Sequence, residues 1–276
     1  MPAPRPSTRA PIPWPVNLPA DPRLCDNGAM QLLDLTLPTP HENLALDEAL
    51  LDWAEEISPP VEVLRLWESP QPLCVVGRSS RIDQEVDASA CRERGIPILR
   101  RSSGGAAILT GPGCLMYAVV LSYELRPDLK DISRAHSYAL GCLAKGLSAA
   151  SPKVLCAGTS DLVIFDESKN VGRKISGNSL RAKRSHLLYH GTLLYNFDLS
   201  LITECLQMPP RQPNYRGARG HADFVANLPI SSREMRECVL RAFPTNGQLA
   251  SWPKKHVAQL IEDRFSRENW NLRYPQ

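Results

Sequence analysis

The sequence predicts an α+β fold, with a mixed and mostly antiparallel sheet flanked by helices. Three observations point there. Apolar strand-like runs interleave with stretches of helical period along the body of the chain. Several of those runs are divided by short polar turns, as in hairpins. No internal repeat or second composition regime divides the 276 residues, and 43% hydrophobic content suffices for one sizeable core.

Residues 1–22 hold eight of the 25 prolines. Proline fixes φ and lacks an N–H, so residues 1–29 read as a disordered or surface-draped arm, with Trp14 as its one candidate for docking. A single domain is expected over 30–276, with no separate C-terminal accessory domain. His41–Ile57 reads as a helix, because Leu46, Leu50, Trp53 and Ile57 fall on one face before Pro59-Pro60 stops it. Val61–Trp67 and Leu73–Val76 read as strands around a Pro-rich turn, Asp83–Arg94 as a helix and Ile96–Leu99 as a short strand. Ala106–Leu109 and Leu115–Tyr123 flank Gly111-Pro112-Gly113 as an expected hairpin. Ser133–Ala149 is a predicted helix with Ser133 as its cap. Asp161–Phe165, Arg173–Asn178 and Leu187–Phe197 follow as strands. Ser231–Phe243 and Pro253–Phe265 close the chain as helices, the second with proline in its first turn.

Charge narrows the function. A net +3 is too balanced for a chain that works mainly by gripping phosphate backbones, which argues against nucleic acid. No apolar run approaches the roughly 18 residues of a membrane span, and the Pro-rich start has no apolar segment to serve as a secretory signal. A cytoplasmic protein with reduced thiols is the expectation. The eight cysteines lie scattered, without a C-x-x-C pair or clustered histidines, so no metal site is expected.

Two segments carry chemistry. In Leu99–Ala107, two arginines, two hydroxyls and Gly104-Gly105 follow a short strand. Glycines permit close backbone approach and amide nests hold anions, while arginine offers a fork for phosphate or carboxylate. A tight turn with solvated arginines fits the spacing equally well, since neither nucleotide-loop fingerprint is present. In the second segment, Lys174 lies between a turn and a strand, downstream of Asp161 and upstream of His190. Alone, Lys174 reads either as an exposed strand-end lysine or as a point charge on a carbonyl or phosphate. His190 reads either as a core histidine or as a ligand.

Seven collinear blocks go further. They are Asn43-Leu44-Ala45-Leu46-Asp47-Glu48, Leu66-Trp67, Val76-Gly77-Arg78, Arg100-Arg101-Ser102-Ser103-Gly104-Gly105, Asp161-Leu162, Gly172-Arg173-Lys174-Ile175-Ser176-Gly177 and His190-Gly191-Thr192-Leu193-Leu194. Together, over roughly residues 30–230, they resemble the lipoate–protein ligase and octanoyltransferase family, whose catalytic domain resembles that of biotin–protein ligases. The resemblance implies attachment of a lipoyl or octanoyl group to one lysine of a lipoyl carrier domain. Expected carriers are the glycine cleavage H protein and the 2-oxoacid dehydrogenase E2, with no nucleic-acid or membrane partner. It further implies that Arg100, Ser102, Ser103, Gly104, Gly105, Asp161, Gly177 and His190 line an acyl or adenylate site, and that Lys174 is catalytic. The Leu66–Val76 strands are the expected wall for the acyl tail.

Within that family the first reading is an ATP-dependent lipoate–protein ligase, with ATP and Mg2+ and a lipoyl-adenylate intermediate. The alternative is an ATP-independent transferase fed by octanoyl-acyl-carrier protein, with Cys156 as the thioester nucleophile and no cofactor. Gly111-Pro112-Gly113 resembles the octanoyltransferases, and Cys156 resembles their nucleophile in a C-x-G-x-x-D-L arrangement. A buried structural cysteine remains the competing reading of Cys156. A third possibility is a non-catalytic paralogue that binds lipoyl domains, against which the retained Lys174 speaks.

Overall fold

The computed structural model describes residues 30–151 and 154–273, so the expectations for the N-terminal arm and Trp14 lie outside the described residues. Seven strands form the main sheet, in the order β1 (Met30–Asp34), β2 (Glu62–Trp67), β6 (Cys114–Ser122), β10 (His186–Leu194), β9 (Val171–Ala182), β8 (Asp161–Asp166) and β7 (Val154–Ala157). Only β1 pairs in parallel, with β2; the remaining pairs are antiparallel. A smaller sheet orders β4 (Ile98–Arg100), β3 (Leu73–Val76) and β5 (Ile108–Thr110). The α+β expectation stands.

β6 explains the layering. All nine of its residues are buried, and they alternate between two apolar clusters. Cys114, Met116, Ala118 and Val120 join the first cluster, with α1 (Pro40–Ala54), the small sheet and the C-terminal helices. Leu115, Tyr117, Val119 and Leu121 join the second, beneath α4 (Ile132–Ser148) and α7 (Ser232–Ala242). A central strand that faces helices on one side and helices plus a second sheet on the other must be apolar throughout. No helix among the described residues is long and apolar enough to cross a membrane.

Several local expectations change. The Gly111-Pro112-Gly113 turn does not close a hairpin: β5 pairs with β3 in the small sheet, while β6 runs into the large one. The glycine turn carries the chain between sheets, and Gly113, at φ +86°, lies against the Asn196 backbone. The Asp83–Arg94 helix is two, α2 (Ile82–Glu85) and α3 (Ala88–Glu93), because Asp87 leaves the helix to cap Ala90 N at 2.9 Å. α4 is capped by Asp131, which accepts from Ser133 N, so Ser133 is not the cap. α1 starts on a capping box of Thr39 and Glu42 and ends at Ala54, which leaves Ile57 outside the helix. The last predicted helix is α8 (Lys254–Leu260) continued by a π-helical turn over Ile261–Phe265, with Pro253 at its cap. Edge strands β1 and β7 were not anticipated; both are short, five and four residues.

The short helices α5 (Ser200–Cys205) and α6 (His221–Phe224) follow β10, and the stretch after α7 wraps back onto the body. Leu32 N donates to Gly247 O at 2.8 Å, and Leu249 N donates to Leu32 O at 2.7 Å. Val257, Leu260 and Phe265 enter the first cluster. α9 (Glu268–Asn271) then reaches β4, where Asn271 Oδ1 accepts from Arg100 N at 3.0 Å.

Candidate active site

The loop after β4 is shaped by Arg101. Buried, its guanidinium donates to Val75 O (3.1 Å), Gly104 O (2.5 Å) and Ala106 O (3.0 Å), while Nε reaches Ser103 Oγ (3.1 Å). One side chain thus folds the Ser102–Ala106 turn around itself, and burial pushes its pKa down to about 10. Gly105, at φ +88°, completes the turn. Its carbonyl oxygen would lie 1.9 Å from any Cβ on Gly77, so the Val76-Gly77-Arg78 block is a close passage of two loops. Ser103 Oγ lies 2.6 Å from His190 Nε2, and the other ring nitrogen, Nδ1, lies 3.6 Å from Asp47 Oδ2. Asp47 also receives Arg65 Nη1 at 2.5 Å. The Asn43–Glu48 block is therefore the buried polar face of α1, holding Arg65 and backing His190.

Across the cleft, β8 and β9 present the acidic and basic groups. A register shift after Leu162 leaves Ile175 without a partner between Lys174 and Ser176. Ile175 sinks into the second cluster, while Lys174 Nζ meets Asp161 Oδ1 at 2.8 Å on the opposite, cleft-facing side. A Cβ on Gly177 would lie 2.8 Å from Lys174 Nζ, so a larger residue there would push the ammonium from its place. Asp161 Oδ2 accepts from Tyr215 Oη at 2.7 Å. Lys174 keeps about a quarter of its side chain exposed, at 27%.

These walls enclose a cavity of about 430 Å³. Its apolar side is Leu44, Val75, Ile108 and Met116; its polar side is Ser160, Asp161, Lys174 and His190, with Arg211 at the rim. A second cavity of about 110 Å³ shares Ala106, Ile108, Lys174 and Gly177 with it, so the ammonium stands at the junction of the two.

Of the residues singled out in the sequence, Lys174, Asp161, Gly177, His190 and Gly105 line the first cavity, and Ser103 supports His190 from beneath. Arg100, Ser102 and Gly104 do not line it. Arg100 is fully buried and donates to Gly77 O, Ser80 O, Trp270 O and Arg273 O, so it ties the C-terminal stretch to the loop. Ser102 is buried, and Gly104 turns its carbonyl onto Arg101 and Ser179. The expected Leu66–Val76 wall contributes Val75 alone; Leu66 packs in the second cluster.

Cys156 is not brought to the cleft. On β7 it points with Val154, Leu162 and Ile175 into the cluster under α4, while Asp161 and Lys174 face the other way. Burial pushes its thiol pKa up, away from the thiolate form. Sequence reasoning missed Arg211, Tyr215 and Asn178. Asn178 bridges strands, donating to Ser160 O and accepting from Tyr117 Oη. Arg211 and Tyr215 lie in an irregular Pro- and Arg-rich stretch without periodicity, where no pattern marks a side chain as inward.

This arrangement, a lysine paired with a carboxylate above a glycine–arginine loop, can hold an anionic or carbonyl group against a fixed cation. Residues 39–243 match the family described as the lipoyl protein ligase A/B catalytic domain. The chain belongs to that family. Among curated relatives it is 27% identical to the octanoyltransferase LipM of Symbiobacterium thermophilum, over 88% of this chain and 98% of the relative. It is 25% identical to the octanoyltransferase LipM of Geobacillus kaustophilus, over 85% of this chain and 94% of the relative. Among solved structures, a bi-partite lipoate protein ligase from Thermoplasma acidophilum, described together with its E2 lipoyl domain, aligns with a TM-score of 0.76 at 22% identity. That alignment covers 91% of this chain and 98% of the other. A lipoate–protein ligase A bound with ATP aligns with a TM-score of 0.73 at 21% identity, over 90% and 99%. The A/B family fold is thus shared along nearly the whole of each partner.

Proposed function

We propose that this chain attaches a lipoyl or octanoyl group to a specific lysine of a lipoyl carrier domain, of the H-protein or E2 kind, in the cytoplasm, with residues 30–276 acting as one catalytic domain. The observation that carries the reading is the Lys174 ammonium, held by Asp161 at the junction of two cavities in a chain of this family. The acyl tail lies along Leu44, Val75 and Met116, and its carbonyl oxygen faces Lys174. The carrier lysine's neutral amine attacks the carbonyl carbon. As the C–N bond forms, charge builds on oxygen and is met by the ammonium. Collapse breaks the bond to the leaving group, and the amine proton departs to yield the amide.

Ligation through an acyl-adenylate fits the geometry best. Lys174 and Arg211 together offer positive charge to a phosphate beside the acyl carbonyl, and Cys156 faces away. For Mg2+ the fit is poor: Asp161 is engaged by both Lys174 and Tyr215, and the described residues hold no group of acidic, His or Cys ligands. The second reading, transfer from an octanoyl-carrier thioester without ATP, is supported by the curated relatives, which are octanoyltransferases.

The test incubates purified protein with a lipoyl domain under two regimes, ATP with lipoate or octanoate, and octanoyl-acyl-carrier protein alone. Intact mass of the lipoyl domain reports the result. Gain of one acyl group with ATP supports the ligase, and gain without ATP supports the transferase. An unmodified domain in both regimes overturns the proposal.

A further inference from the structure

Tyr215 belongs to a segment, 206–226, that arches over β9 beside Lys174. The far end of the arch is sewn to the backbone around that lysine. Ala226 N donates to Lys174 O at 2.9 Å, Arg173 Nη2 donates to Val225 O at 2.7 Å, and Arg219 Nη1 donates to Gly172 O at 2.9 Å. At the near end, the short 3-10 turn Asn214–Arg216 sets the Tyr215 ring against Phe224, with centroids 5.3 Å apart, and over Gly158. Its hydroxyl then donates to Asp161 Oδ2 at 2.7 Å, while Oδ1 of the same carboxylate takes Lys174 Nζ. Burial and the adjacent Asp161 push the phenol pKa well up, so the group stays a proton donor.

A carboxylate turns easily about its last torsion, so one anchor leaves its plane free. Two anchors on different oxygens fix that plane, and with it the place of the ammonium at the cavity junction. We propose that Tyr215 is a positioning residue for Lys174, acting through Asp161, so that the arch and the cation are set by one carboxylate. This deepens the acyl-transfer reading and rests on it. Tyr215 touches no reacting atom. Its effect therefore belongs in turnover rather than in carrier binding, and it vanishes once the carboxylate is gone.

The experiment is a double-mutant cycle on the full chain with Tyr215→Phe, Asp161→Ala and the pair, read by initial rates of lipoyl-domain modification. Tyr215→Phe keeps the ring packing, and its expected effect is a kcat loss on the order of 10-fold, with KM for the carrier domain within about twofold. In the Asp161→Ala background the same change is expected to be silent. Equal, additive losses in both backgrounds, or a Tyr215→Phe rate within about twofold of wild type, overturn the proposal. If the wild type transfers no acyl group at all, the functional reading fails, and a crystal structure of Tyr215→Phe still decides this one. An Asp161 carboxylate turned out of its present plane, or a Lys174 Nζ moved off its 2.8 Å contact, supports it. Both unchanged overturns it.

Discussion

Replacing Arg100 by methionine tests whether this arginine is a ligand residue or a tie. Methionine keeps the length and much of the volume of the stem but offers no donor. The guanidinium donates to Gly77 O (2.6 Å), Ser80 O (2.8 Å), Trp270 O (3.1 Å) and Arg273 O (2.8 Å). Hydrogen bonds from a charged donor contribute roughly 1.5–3 kcal/mol each in mutational series, and loss of the charge's own desolvation offsets part of that. Gly77 O also keeps Ser80 N as a partner, which lowers the sum further. A net loss of about 3–4 kcal/mol follows, equivalent to a fall in Tm of about 6–8 °C for a domain of this size. Because Trp270 O and Arg273 O lie on the C-terminal stretch, proteolysis should begin there first. Differential scanning calorimetry and limited digestion read these two effects, and acyl transfer is then assayed well below the lowered Tm. There the variant should retain activity within a few-fold of wild type. An unchanged Tm accompanied by a hundredfold loss of transfer would refute the reasoning and return Arg100 to the substrate site.

Lys174→Ala should lower transfer on the order of 100-fold or more, with an unchanged circular dichroism spectrum; activity within threefold would remove the lysine from the mechanism. Gly77→Ala would drive a Cβ to 1.9 Å from Gly105 O, so it should destabilise by about 1–3 kcal/mol and weaken donor binding, both measurable by calorimetry. Cys156→Ser should leave ATP-dependent lipoylation within a few-fold, because the thiol faces α4; total loss in a folded variant, with ATP-independent transfer by the wild type, would reverse the ranking of the two mechanisms. Burial alone would raise the Asp47 carboxyl, but Arg65 and His190 outweigh it and hold its pKa below the usual value. A depressed carboxylate stabilises above its unfolded pKa of about 4 and loses that contribution as pH falls through the native value. The stability gap between wild type and Asp47→Asn should therefore be open at pH 7 and narrow below about pH 4; a constant gap down to acid unfolding would contradict it.

The fold was largely legible because its main signals are local. β6 is a long apolar run, β10 sets Leu187, Tyr189 and Leu193 on the second cluster, and α4 and α7 bury one stripe each against the same face. What escaped depended on partners distant in sequence. Cys114 and Thr110 look like two sides of one turn, yet their strands join different sheets, since β3 and β2 compete for them. Alternation along β7 and β8 is short and interrupted at Leu162, so the face on which Cys156 stands was not readable until the register was known. A motif match locates a cysteine along the chain. It does not say which side of a sheet the thiol takes.

The site was legible in a similarly divided way. Lys174, Asp161, Gly177, His190 and Gly105 fall in blocks where a small residue accompanies a charged one, because a backbone must come close wherever a cation or an anion nest is presented. The same pattern misled at Arg100, which is adjacent to Arg101 and chemically like it. A strand sends neighbours to opposite faces, and at the end of β4 Arg100 goes to the C-terminal stretch while Arg101 coils the glycine loop. Both arginines support the loop, one from outside and one from within, and Arg101 also lines the first cavity. Lys174 lines both cavities, with Arg211 at the rim of the first and Arg216 on the wall of the second. On the proposed function, the chemistry turns on how firmly Lys174 is held. Asp161 holds it, and the residue that steadies Asp161 from the arch, Tyr215, stands in the stretch where the sequence carries no pattern at all.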